Sequence, residues 1–167
     1  NLGAVLNSLG ELDDSAASYR NALAIKPELA EAHSNLGNVL KAIGLYDEAV
    51  SCFRRALELK PDFAEMHSNL GVVFLEQRQL DEAEKCFRRA LETKRDYADA
   101  SNNLGITLNY SGRFDEAITC FRRAIEIEAD YAEAHMNLGS VMKDLGRLEE
   151  SLASTRRALE INPEQNQ

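Results

Sequence analysis

The sequence predicts an all-α chain of stacked antiparallel helix pairs, and three observations carry that prediction. The triplet Asn-Leu-Gly begins at Asn1, Asn35, Asn69, Asn103 and Asn137, each step being 34 residues. Self-similarity at a fixed period of that length marks a repeat architecture. Other columns keep the same step: Ala22, Ala56, Ala90, Ala124 and Ala158; Leu23, Leu57, Leu91, Ile125 and Leu159; Tyr19, Phe53, Phe87 and Phe121. Composition agrees, because 44% hydrophobic residues with only 7% aromatic, no Trp and 3 Pro favour helix over strand.

Each unit divides into two helices. The first carries Asn-Leu-Gly and must stop at Gly10, Gly44, Gly112 or Gly146, where a residue free to adopt the left-handed conformation ends it. Arg78 replaces the glycine in one unit, at about 1 kcal/mol relative to Gly. Asp13, Asp47, Asp81 and Asp115 are expected as N-caps of the second helix. That helix ends near Pro27 and Pro61, a proline replaced by Arg95 and Ala129 further on. Asp62 with Glu65, and Asp130 with Glu133, are spaced as capping boxes opening the next unit. Local signals and period agree, which supports a single native arrangement. The expected organisation is one array over 1–167, with units at about 1–29 (truncated at its start), 30–63, 64–97, 98–131 and 132–167. Opening on a triplet that elsewhere lies in mid-helix, the chain reads as part of a longer one. Thr155 in the Tyr/Phe column, and Ser151 where the middle units carry Ala, mark the last unit as an edge.

Nineteen basic against 28 acidic residues give a net charge of −9, which repels a phosphate backbone and an anionic bilayer alike. The expected partners therefore exclude nucleic acid and membrane. No apolar run approaches bilayer-spanning length, and Asn1–Gly10 lacks the layout of a signal peptide. Cys52, Cys86 and Cys120 share one register with Ser18 and Ser154. Repeats about 10 Å apart hold such residues too far from one another for a disulfide or a shared zinc. They read as small packing residues, and free thiols suit a reducing, cytoplasmic compartment.

The pattern resembles the tetratricopeptide repeat, whose consensus is matched in the second unit by Leu36, Gly37, Ala49, Phe53, Ala56 and Pro61. The resemblance covers the whole chain and implies a right-handed superhelical solenoid. It has a physical basis: Gly37, Ala49 and Ala56 let two helices approach closely, and Phe53 fills the space beside them. On a wheel at about 100° per residue, Glu31, Ser34, Asn35, Asn38, Lys41 and Ala42 share one stripe, while Ala32, Leu36, Val39, Leu40 and Ile43 lie elsewhere as packing residues. The resemblance places that stripe inside the superhelix, lining a concave groove.

The groove repeats Asn35, Asn69, Asn103 and Asn137, with Asn38 and Asn109 in the same stripe. A carboxamide offers a donor and an acceptor, so it pairs with a peptide main chain whatever its side chains. With first helices on the order of 10 Å apart and an extended chain advancing roughly 3.3–3.6 Å per residue, one Asn meets every third peptide residue. This ladder is similar to the one in the tetratricopeptide arm of O-linked N-acetylglucosamine transferases, which holds the backbone of the protein substrate. The alternative is that these amides bond neighbouring helices and only stabilise stacking. Chaperone-binding members instead clamp a carboxylate with Lys and Arg on this face, whereas Ser34, Ser68, Asn102 and Met136 fill one clamp register here. Val72 and Leu75 follow Asn69, and Ile106 and Tyr110 follow Asn103. Periodicity leaves these four exposed as a pocket for an anchor side chain, unless an adjacent helix covers them.

His33, His67 and His135 recur in register with no Ser, Cys or Asp placed beside them as a hydrolytic set, and read as helix-packing positions. The Arg pairs beginning at Arg54, Arg88, Arg122 and Arg156, with Glu58, Glu92, Glu126 and Glu160 one turn on, read as a salt-bridged solvated face. No phosphate loop, metal-ligand spacing, catalytic carboxylate pair or nucleophile motif is present in the sequence. The expectation is a non-enzymatic scaffold for an extended peptide, with no cofactor and no metal. The alternatives are the substrate-recruiting arm of a larger enzyme such as a glycosyltransferase, and a module that self-associates through the array ends.

Overall fold

A computed structural model describes residues 2–163, apart from the side chain of residue 8. Ten α-helices and no strand occur among the described residues: α1 (Leu2–Ser8), α2 (Leu12–Ile25), α3 (Ala30–Ala42), α4 (Tyr46–Leu59), α5 (Ala64–Glu76), α6 (Leu80–Thr93), α7 (Ala98–Tyr110), α8 (Phe114–Ile127), α9 (Ala132–Asp144) and α10 (Leu148–Ile161). Asn1, the first of the repeating Asn residues, lies outside the described residues.

The turns inside the repeats form as the glycines require. Gly10, Gly44, Gly112 and Gly146 have φ between 74° and 80°, and Arg78 adopts φ 59° in the same place. At Gly44 the amide donates to the Lys41 carbonyl at 3.1 Å and the next amide, Leu45, to Leu40 at 2.9 Å, the paired bonds that close a helix C-terminus around a left-handed residue. Arg78 sustains the same pair, to Leu75 at 3.0 Å and from Gln79 to Phe74 at 2.8 Å.

The capping expectation is corrected. The N-cap residues of α2, α4 and α8 are Glu11, Leu45 and Arg113, none with a side-chain cap bond. Asp13, Asp47, Asp81 and Asp115 sit inside the first turn. The left-handed residue is followed by a single connecting residue, so the helix starts two residues earlier than an Asp cap needs. These carboxylates act on the helix dipole instead. The capping boxes fail likewise: α5 and α9 are capped by Phe63 and Tyr131 without side-chain bonds, leaving Glu65 and Glu133 in the first turn.

The chain divides into two compact units, Asn1–Gln79 and Leu80–Gln167, separated in the turn after α5. In the first, α1 pairs with α2 and α3 with α4, while α2 packs on α3 and α4 on α5. In the second, α7 pairs with α8 and α9 with α10, while α6 packs on α7 and α8 on α9. The pairs are antiparallel, since residues nearly equidistant from the turn meet: a Cβ at Gly37 would come 2.8 Å from the Phe53 ring, and one at Gly105 2.6 Å from Phe121. The core of the first unit includes Leu36, Leu40, Ala49, Phe53, Ala56 and Met66; that of the second includes Leu104, Leu108, Phe121, Ala124, Leu138 and Met142. Burying each large side chain contributes about 1.5–3 kcal/mol.

The histidines have a function in the fold that spacing alone does not reveal. Nε2–H of His33 donates to the Pro27 carbonyl at 2.8 Å, His67 to Pro61 at 2.8 Å and His135 to Ala129 at 3.0 Å. Each ties a first helix to the turn that precedes it. Ser101 fills this register in the fourth repeat, and its Oγ is the one buried side-chain N or O atom without a partner among the described residues. The basic stripe is salt-bridged, and some of its bridges join neighbouring pairs: Arg20–Glu48 at 2.9 Å, Arg123–Asp96 and Arg157–Asp130 at 2.6 Å.

Candidate binding face

Within each unit, first helices of neighbouring pairs lie side by side, α3 beside α5 and α7 beside α9. In the first unit this joins Asn35 and Asn38 of α3 to Asn69, Val72 and Leu75 of α5, all half-buried. In the second it joins Asn103, Ile106 and Asn109 of α7, half-buried, to Asn137 of α9, also half-buried. Tyr110 is 52% exposed. The four apolar residues expected to be exposed therefore differ, and of the four Tyr110 alone is more than half exposed. Close approach of adjacent first helices covers the flanks on which such side chains stand.

The amides fall into two kinds. Asn35, Asn38, Asn69, Asn103 and Asn109 make no side-chain hydrogen bond among the described residues, and none of their amide atoms is sealed from solvent without a partner. Asn137 differs, because its Nδ2 donates to Oδ1 of Asn102 at 3.0 Å. Asn102 is wholly buried and donates in turn from Nδ2 to Oε1 of Glu133 at 3.1 Å. The stacking role weighed from sequence thus holds at Asn137, while Asn35, Asn69 and Asn103 keep their amides unbonded. Sequence reasoning noticed Asn102 only as a departure from a cationic clamp. The signal that could have found it is its place among Ser34, Ser68 and Met136, as the one long polar side chain in a register facing the next first helix.

Charge around the faces is largely engaged. Lys60 holds Glu31 at 2.8 Å, and this hydrogen bond draws the Glu31 carboxyl below its ordinary range. Burial lowers the Lys41 ammonium, against the opposing pull of Glu76. Tyr131 donates to Asp99 at 2.9 Å, and burial followed by that bond pushes its hydroxyl well above the usual range. The Cys52 and Cys120 thiols are poor nucleophiles, since burial raises Cys52 and pushes Cys120 to about 11. Among the described residues no group of three or more His, Cys, Asp or Glu is arranged to hold a metal ion, and no helix is long and apolar enough to cross a membrane.

Rigid helix pairs presenting repeated, solvent-reaching amides define a helical-repeat interaction scaffold. Family models described as "Tetratricopeptide repeat" match residues 28–96, 62–129 and 102–166, and one described as "TPR repeat" matches residues 3–44. The chain belongs to the tetratricopeptide repeat family. No curated protein matches the sequence. Among solved structures, MamA is similar with a TM-score of 0.88 at 24% identity, over 99% of this chain and 96% of that one. MamA from Desulfovibrio magneticus RS-1 gives 0.88 at 17% identity, over 100% and 94%. YrrB, described as a TPR protein with an unusual peptide-binding site, gives 0.78 at 28% identity, over 98% and 84%. The MamA likenesses establish the fold alone.

Proposed function

We propose that the chain holds an extended segment of a partner protein along its first-helix faces. Asn35, Asn38 and Asn69 in the first unit, and Asn103, Asn109 and Asn137 in the second, grip the main chain. Val72 and Leu75, and Ile106 and Tyr110, receive apolar anchors. The observation that carries this reading is the set of solvent-reaching amides at Asn35, Asn69 and Asn103 with no intramolecular partner. Polar groups half-buried on rigid helices normally find partners, and these are left for a ligand. The likeness to YrrB, whose description names a peptide-binding site, supports the same reading.

Magnitudes explain why both kinds of residue are needed. Each amide–peptide bond contributes about 0.5–1.5 kcal/mol net, so four give about 2–6. A micromolar complex requires about 8 kcal/mol, and one buried anchor supplies a further ~1.5–3. Titrating an unstructured peptide panel against wild type and the Asn69→Ala/Asn103→Ala variant tests the ladder. Affinity should fall about tenfold or more from two lost bonds, and equal affinities would overturn the reading.

A second reading, self-association through the outer helices, is favoured by a separate observation. Leu148 and Leu152 of α10 are 66% and 61% exposed, whereas Ile118, in the same register as Leu152, is 4% exposed beneath the following pair. Leu2 and Val5 of α1 are likewise exposed where Leu36 and Val39 are buried. A second copy that set its α1 on α10 would cover both faces in a head-to-tail contact. Light scattering over a dilution series checks it, and a concentration-independent monomer mass rules it out.

A further inference from the structure

We infer that Asn102 and Glu133 fix Asn137 as a one-way reader, which presents its carbonyl oxygen to a backbone N–H of the bound segment. The inference rests on the peptide-holding role proposed above and assigns one rung of it a direction.

The direction follows from elementary donor and acceptor chemistry. An ionised carboxylate only accepts hydrogen bonds, so the Glu133 oxygen 3.1 Å from Asn102 must face the Asn102 NH₂ group. That choice turns the Asn102 carbonyl oxygen toward α9. An oxygen also only accepts, so Asn137 must meet it with its own NH₂ group, at 3.0 Å. The charge on Glu133 thereby sets two amides in sequence. Asn102 is wholly buried, so water does not take its place, and an amide flip would cost both bonds at once. Glu133 and Asn137 lie four residues apart on α9, and Asn102 bridges them from α7.

With one Nδ2 proton held by Asn102, the side of the Asn137 amide left fixed toward a ligand carries Oδ1, which has no partner among the described residues and is not sealed from solvent; the second Nδ2 proton stays beside it. Asn103, on the neighbouring helix, has no such relay and can turn either end of its amide to a peptide. The two rungs therefore differ in what they demand. Asn103 accepts a residue that offers N–H or C=O. At Asn137 the amide is held in one orientation, so the backbone nitrogen that faces Oδ1 must carry a proton, and proline or an N-methylated residue is rejected at that point of the segment.

The test uses the tightest binder selected on the whole chain from randomised peptides of about 12 residues, an extended reach of about 40 Å. Each backbone nitrogen of that peptide is N-methylated in turn, and the scan is run on wild type, Glu133→Gln, Asn102→Ser and Asn137→Ala. Gln at 133 donates as well as accepts, so it releases the relay while keeping size; Ser is the residue that nature places at positions 34 and 68 of this chain. Circular dichroism establishes that each variant is folded. The expected result is one peptide position where N-methylation weakens wild-type binding about tenfold, a penalty that shrinks in Glu133→Gln and Asn102→Ser. The parent peptide should bind Asn137→Ala several-fold more weakly. Weaker binding to Asn137→Ala together with identical methylation scans for wild type and Glu133→Gln would overturn the one-way direction and leave the peptide-holding role standing. Unchanged binding to Asn137→Ala would overturn the inference at its root, and with Asn69→Ala/Asn103→Ala also unchanged the broader role falls too. Without any ligand, the Asn137 side-chain amide protons should exchange slowly in wild type and rapidly in Glu133→Gln; fast exchange in both overturns the relay.

Discussion

The pairs α7–α8 and α9–α10 stand in one unit and seat their first-helix glycines against the second helix by different means. In α7–α8 the bare backbone of Gly105 lies against Phe121, which is buried. In α9–α10 Gly139 lies against Thr155, and Ser151 donates from Oγ to the Gly139 carbonyl at 2.8 Å. One close approach is held by an aromatic ring filling its space, the other by a hydroxyl bond between backbones. α8 buries Ala117, Ile118, Phe121 and Ala124, whereas α10 buries only Ala158. The first pair of the chain adopts the hydroxyl as well, with Ser15 Oγ bonded to the Gly3 carbonyl at 2.8 Å. What this teaches is that the same glycine contact is met by ring burial where the second helix is well covered and by a hydroxyl-to-backbone bond where it buries little.

The sharpest way to break the comparison is to remove the ring. Phe121→Ala should destabilise by about 3–5 kcal/mol, the range for deleting a buried aromatic, whereas Thr155→Ala should cost well under half of that. Urea denaturation of the two variants checks it, and equal losses would show that burial does not separate the pairs. Filling the contact from the other side has a smaller effect. A Cβ at Gly105 would meet three carbons of the Phe121 ring at 2.6–3.0 Å, a buried group with nowhere to go, so Gly105→Ala should cost about 1–3 kcal/mol. At Gly139 the nearest atom, 2.6 Å away, is the Thr155 hydroxyl, the end of a short side chain on the less covered helix. Gly139→Ala should therefore be the milder change, and the order of the two melting temperatures decides.

Smaller again is the hydroxyl bond itself. Ser151→Ala should cost about 0.5–1.5 kcal/mol, the net value of one such bond, with the loss confined to α10 in amide hydrogen exchange. Ala is already the residue at this register in α4, α6 and α8, so the change introduces no strain. Loss of protection spreading into α7 and α8 would contradict the confinement.

Periodicity made much of this legible and its limits are physical. The 34-residue step fixed the helix pairs, and the turn glycines fixed their ends, even to the left-handed Arg78, because backbone geometry at a tight turn leaves few solutions. The Asp N-caps were misplaced because cap position depends on a two-residue difference in turn length, which period alone does not resolve. The histidine tethers were read as packing because their partner is a backbone carbonyl six residues away, invisible as a side-chain pattern. On the candidate face, the Asn register was readable. The relay through Asn102 was not, since it depends on which residues of α7 and α9 meet.

The smallest expected effect concerns charge at the turns of the same two pairs. Arg113, in the turn of α7–α8, bonds Glu116 and also reaches back to Glu84 of α6 at 2.7 Å. Arg147, its counterpart in α9–α10, bonds Glu150 at 2.8 Å, and in the register of Glu84 the preceding helix carries buried Ile118. Burial alone would raise the Glu84 carboxyl, but hydrogen bonds from Arg113 and Arg88 outweigh it and hold it below the usual range. A carboxyl lowered in the folded state binds its proton more readily when unfolded. Its contribution is therefore complete above the unfolded value of about 4.3 and is lost as pH falls through the lower folded value. Glu84→Gln should flatten the acid limb of a stability–pH curve in that window. Glu150→Gln should change it less, because Glu150 is half exposed and solvent screens its pairs. Urea midpoints measured from pH 6 downward distinguish the two, and equal flattening would mean that Glu84 gains nothing from its more sheltered seat between two pairs.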